Sequence, residues 1–128
     1  MEKTLMKFIL ADTPRYWWPV VVKMPDTDNP GQFVELSFKV LFEPRDQDAE
    51  VAERARVLAI LDAEEQLKED RMSLAAVIKD WDEIVDTDKT PVPFTAAKVD
   101  QMLRQPWARM AVWTAYHESM AGGAHLGN

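Results

Sequence analysis

The chain has no cysteine, which excludes disulfides and thiolate chemistry and fits a reducing compartment. Its four glycines, Gly31, Gly122, Gly123 and Gly127, form no phosphate-cradling loop. None of its three serines sits in a Gly-x-Ser-x-Gly elbow. Basic residues are outnumbered fifteen to twenty-two, and a formal charge of −7 is the wrong sign for neutralising phosphates, so nucleic acid is not an expected partner. No window approaches the roughly 20 apolar residues that span a bilayer, so no membrane association is expected. Near the start, Glu2, Lys3 and Lys7 alternate with Leu5, Met6 and Phe8, which is not the pattern of a signal peptide. These absences point to a soluble intracellular protein.

What is present reads as one α+β domain over 1–128, with a β-rich part at 1–43, a helical part at 46–121 and a flexible tail at 122–128. Residues 5–10 are apolar and end at Thr13-Pro14, which allows a first strand. Trp18 to Met24 is β-branched and aromatic, with Val20, Val22 and Met24 on one face. From Val34 to Phe42 the apolar positions Val34, Leu36, Phe38, Val40 and Phe42 alternate with polar ones, as a strand with one buried face requires. Turn formers fill Pro25 to Gly31 between them. The expectation is an antiparallel hairpin or small three-stranded sheet followed by about four helices.

Asp46 to Arg71 reads as one charged helix with a Val51, Ala55, Leu58, Leu61 stripe; its nine acidic and four basic residues make it a solvated face or an acidic docking surface. Ser73 is placed to cap a second helix over Leu74 to Val85, because Val77, Ile78, Trp81, Ile84 and Val85 follow i, i+3, i+4, i+7 spacing. Asp86, Asp88 and Thr90 then make a turn, and Pro91 and Pro93 force an extended connection. Thr95 can cap a short helix, with Phe94 and Val99 at the spacing of a hydrophobic staple. Pro106 suits the first turn of a last helix that Gly122-Gly123 ends. That helix is apolar on more than one side, so it is either central to a core or partly covered by another chain.

Chemistry is harder to find. His117, Glu118 and Ser119 are consecutive, and helix neighbours point apart, so they form no relay. Asp26-Thr27-Asp28 and Asp86-Thr87-Asp88 open like calcium loops, yet Pro91 and Ala97 occupy the glycine and glutamate positions of one, and Ser37 the last position of the other. No catalytic residue, metal site or cofactor is expected. Five tryptophans in 128 residues is many, and tryptophan serves cores and binding hot spots alike. Trp81, Phe94 and Phe38 are the expected core anchors; Trp17, Trp107, Met110, Trp113 and Tyr116 are the candidates for contact with another protein.

The order of these segments resembles the tail assembly chaperones of long-tailed bacteriophages. The resemblance runs through Trp18-Pro19-Val20, Pro25-Asp26, FVELSFKVLF, the charged helix, IKDWDEIVDTDKTPVPFT, MLRQP and AVWTAYHES to a glycine-containing tail ending at Asn128. Asp82 stands where that family often has a small residue, and Lys89 where a glycine usually completes the turn. The resemblance implies a non-enzymatic protein of the host bacterial cytoplasm. It would bind the tape measure protein, keep it soluble and help tail tube protein assemble around it, and a longer product made by frameshifting would exist beside it. Self-association through the hairpin edge or the last helix is a further expectation. The rival readings are a minor tail or head–tail connector protein of the virion and, from another class, a small hydrolase or transferase.

Overall fold

The period-two segments become two ten-residue strands in the computed structural model, which describes residues 4–10 and 14–122. Strand β1 (Tyr16–Pro25) pairs antiparallel with β2 (Phe33–Phe42), with Val20 opposite Phe38 and Trp18 opposite Val40. Between them Asp26 N–H donates to the Gln32 carbonyl at 2.8 Å, and the Asp26 carboxylate accepts from Asp28 N–H and Asn29 Nδ2, both at 2.9 Å. Gly31 supplies the positive φ of 85° that this reversal needs. The Asp26 triplet is therefore bonded into its own turn.

Helices α1 (Gln47–Leu58) and α2 (Ala63–Ala75) replace the single charged helix expected over Asp46 to Arg71. Asp46 caps the first, accepting from Ala49 N–H, and Asp62 caps the second, accepting from Glu65 N–H. Gln66 Nε2 reaches back to the Val57 and Ile60 carbonyls, so the end of α1 finds partners in α2. Arg56 on α1 binds Glu53 at 2.8 Å and Glu69 of α2 at 2.7 Å, holding the pair together. Helical propensity continues through 59–62, but capping and cross-helix pairing reward a break there.

The second correction concerns Leu74 to Val85. Ser73 lies inside α2, and the segment after it forms strand β3 (Ile78–Asp82), which adds to the second edge of β2. Trp81 pairs with Val40 and Ile78 with Phe42, and the register slips between Leu41 and Phe42. That bulge inserts Lys79, so Ile78 and Trp81 are three apart yet both buried. A bulged strand thus copies the i, i+3 spacing of a helix. Val77 joins in as well, its carbonyl accepting from Glu43 N–H at 2.9 Å.

The architecture is α+β: a three-stranded antiparallel sheet in the order β1-β2-β3 with four helices. Its third strand comes from 78–82, whereas residues 4–10 carry no strand. Helix α3 (Ala96–Leu103) starts at Thr95, whose Oγ1 accepts from Lys98 N–H at 3.1 Å, and α4 (Pro106–Met120) begins with Pro106 at its first position. Gly122, at φ 62°, follows the end of α4; the rest of the expected tail, 123–128, lies outside the described residues. One face of the sheet carries the core. Val20, Val40, Phe42 and Trp81 meet Leu103, Val112 and Tyr116 there, and α4 lies along β1. The anchors expected from the sequence sit in this core, with Phe38 and Trp81 buried and Phe94 partly buried against Trp81, its ring edge-on at 5.4 Å.

Candidate functional site

Helix α4 is amphipathic in an unusual sense, because both of its sides are rich in apolar residues. Ala108, Val112, Ala115 and Tyr116 turn into the core. Trp107, Met110 and Trp113 fall on the opposite arc and stand between 41% and 69% exposed. They form a ridge, and Met110 and Thr114 at its crest border a groove on each side.

The first groove, about 280 Å³, lies between α4 and the α1–α2 pair. Val57, Leu74 and Trp113 give it an apolar lining, and Arg54, Asp70 and Arg109 stand around it. Its floor is a polar clamp that no sequence pattern announced. Arg45, in the link after β2, donates from Nη1 to the Ser73 carbonyl at 2.9 Å, and from Nε to Glu50 Oε2 at 3.1 Å. Tyr116 Oη accepts from Arg45 N–H at 3.3 Å and donates to Glu50 Oε2 at 3.4 Å. Four segments meet at Arg45, its guanidinium binding α1 and α2 and its backbone N–H binding α4. Proximity of Arg45 to Glu50 in sequence hinted at half of the clamp, but nothing links position 45 to 73 or 116.

The second groove, about 520 Å³, runs between α4 and the free edge of β1. Trp18, Pro19 and Val21 border it on the strand side, Trp107, Met110 and Ala111 on the helix side. Pro19 suits an edge strand, since it has no N–H to give a neighbour.

The five contact candidates therefore separate. Trp107, Met110 and Trp113 are brought together on the ridge. Tyr116 is not part of a surface: it is 2% exposed, and its ring packs against Phe42 with centroids 5.4 Å apart. Helical spacing put it with Trp113, but three residues of rotation carry it over the edge of the ridge into the core. Trp17 is half-exposed on β1 and borders neither groove.

Titratable chemistry at the ridge is sparse. His117 stacks on Trp113 with centroids 4.2 Å apart, and burial pushes its pKa below the ordinary histidine value. Burial likewise raises the Tyr116 phenol. Ser119 Oγ donates to the Tyr116 carbonyl and contacts Tyr16 Oη, both at 2.7 Å, so its hydroxyl ties α4 to β1. Ser73 Oγ accepts from Arg45 Nη2 at 3.4 Å. Among the described residues no three His, Cys, Asp or Glu side chains gather as metal ligands would. What the arrangement offers is apolar and aromatic area between shallow grooves, with charges at the margins, and no described helix is long and apolar enough to cross a membrane.

Fold and ridge together define a small α+β chain with an exposed, aromatic-rich ridge between two grooves. Compared with protein-family models, curated proteins and solved structures, the chain matches none.

Proposed function

We propose that this chain is a tail assembly chaperone of a long-tailed bacteriophage. It binds the tape measure protein in the cytoplasm of the bacterial host, keeps it soluble and helps tail tube protein assemble around it, without a catalytic step. The observation that supports this reading is the exposed ridge of Trp107, Met110 and Trp113 between two grooves, on a chain of formal charge −7.

A tape measure protein is long and helix-rich, and before assembly its apolar stripes face water. A ridge with a groove on each side matches the ridges and grooves of such a helix, and large aromatic side chains give much contact area for few ordered torsions. Burying three such side chains contributes about 1.5–3 kcal/mol each, from which the cost of association is subtracted. Three side chains thus supply no more than about 9 kcal/mol before that cost, so on their own they bind weakly, which suits a protein that must let go when the tube subunits arrive. The acidic surface keeps the complex soluble.

Co-expression with the tape measure protein tests the reading. The tape measure protein is expected to stay soluble with the wild-type chain and to aggregate with a Met110→Asp, Trp113→Asp chain that is itself folded. Equal solubility with and without this chain would sink the proposal. A component retained in the virion would be found by mass spectrometry of purified particles, where a chaperone is expected to be missing.

A further inference from the structure

Thr4–Leu10 is the most apolar exposed stretch of the described chain. Leu5, Met6, Phe8, Ile9 and Leu10 are 81% to 92% exposed, so they make almost no contact with the body that carries them. A run of large apolar side chains left in water is a docking element that lacks its socket. The groove between α4 and the β1 edge is such a socket: it is lined mainly by apolar side chains, it borders the free edge of the sheet, and no described residue of its own chain fills it.

We propose that the chain dimerises by reciprocal arm exchange, Thr4–Leu10 of each copy lying in the α4–β1 groove of the other. Along α4 the groove runs from Trp107 to Glu118, about 18 Å, which holds about five to six extended residues of the arm. The area decides between one arm and two. At roughly 100 Å² per side chain, five side chains remove about 500 Å² from water and the shallow groove adds less, so one arm falls well short of a stable interface, whereas two arms reach about 1,300 Å², the lower end of the stable range. Exchange in both directions also closes the assembly, since each copy uses the same arm and the same groove.

Side chains must supply the affinity, because Pro19 interrupts the row of edge donors and an unbroken ladder along β1 is excluded. Lys7, the one charge within the arm, has Glu118 available at the groove margin. The exchanged arm covers Trp107 and Met110 on the β1 side of the ridge, while Trp113 borders only the other groove and stays open. The proposal shares Trp107 and Met110 with the chaperone reading, so a seated arm leaves the Trp113 side of the ridge for the tape measure protein.

Light scattering of the purified full-length chain over a dilution series tests it. Wild type is expected at twice 14.7 kDa, falling to 14.7 kDa on dilution. Phe8→Asp, Ile9→Asp in the arm and Thr114→Arg in the groove change exposed positions, so both variants should keep the wild-type circular dichroism and thermal midpoint. Each should weaken association by on the order of ten-thousandfold, because both arms of the dimer carry the change and four buried apolar side chains are lost, or both sockets are blocked. A wild type that is monomeric throughout overturns the proposal, including the case where the arm docks on its own body. So does either folded variant that dimerises as tightly as wild type. Because Met110 borders both grooves, a single Trp113→Asp chain is the co-expression variant that leaves the arm groove intact and keeps the two results separable.

Discussion

At Trp81 the indole N–H donates to the Val92 carbonyl at 2.8 Å, and the ring meets Phe94 edge-on on one side and the sheet core on the other. One residue thus joins β3 to the proline-rich link before α3, and so sets where α3 and α4 begin. Truncation leaves a cavity and an unpaired carbonyl together. Trp81→Ala is expected to cost about 3–5 kcal/mol, measured by urea unfolding. A loss under about 1 kcal/mol would mean that the side chain is not the anchor its burial indicates. Trp81 was legible as an anchor from its apolar neighbours alone, because a buried tryptophan looks the same from a helix or a strand. Tyr116 was not. Its burial depends on the Phe42 ring and the Arg45 clamp, which come from far away in the chain.

Among the elements, the turn after β3 shows how a departure from a pattern becomes a measurable strain. Asp86 Oδ1 accepts from Asp88 N–H at 2.9 Å and Thr90 N–H at 3.0 Å, which closes the loop as a polar turn. Lys89 sits in it at φ 65°, the left-handed region that glycine occupies without cost. Lys89→Gly is expected to stabilise the chain by about 0.5 kcal/mol, after allowance for glycine's greater freedom when unfolded. The thermal midpoint should rise by roughly 2 °C, and a fall would show that the turn does not hold this residue against its preference. The elements that were misread share one physical cause. The α1–α2 break and strand β3 are both decided by partners across space: Gln66 and Glu69 for the break, the open edge of β2 for the strand. Period and capping signals, which are local, read β1, β2, α3 and α4 correctly.

For the molecule as a whole, acid sensitivity follows from how its charges are held. The Arg56 guanidinium holds the Glu53 carboxyl well below its usual range, at about 2. Asp100 is lowered in the same way by Arg71 and then Arg104. A carboxyl whose folded value lies below its unfolded value stabilises the fold above the unfolded value. For Glu53 that contribution is lost as pH falls from about 4.5 towards about 2. His117 acts higher on the scale. Burial keeps it neutral in the fold while the unfolded chain takes up a proton, so stability declines as pH drops below about 6.5. The urea midpoint is expected to fall in two stages on acidification. His117→Gln should remove the upper stage, and Glu53→Gln should lower the midpoint at neutral pH and flatten the acid limb. A midpoint flat from pH 7 to below pH 3 would contradict both assignments.

Composition and local pattern by themselves determined the class of this protein: an acidic, cysteine-free α+β chain with a β-hairpin, capped helices and an aromatic last helix. They did so because alternation, capping and turn chemistry act within a few residues. Tertiary structure alone decided which aromatics form a surface. Trp107, Met110 and Trp113 remain open because α4 rests on β1 with its opposite face, while Tyr116, three residues on, is taken into the core by Phe42 and Arg45. Burial is a property of the partners an element finds, and those partners lie 71 residues or more away.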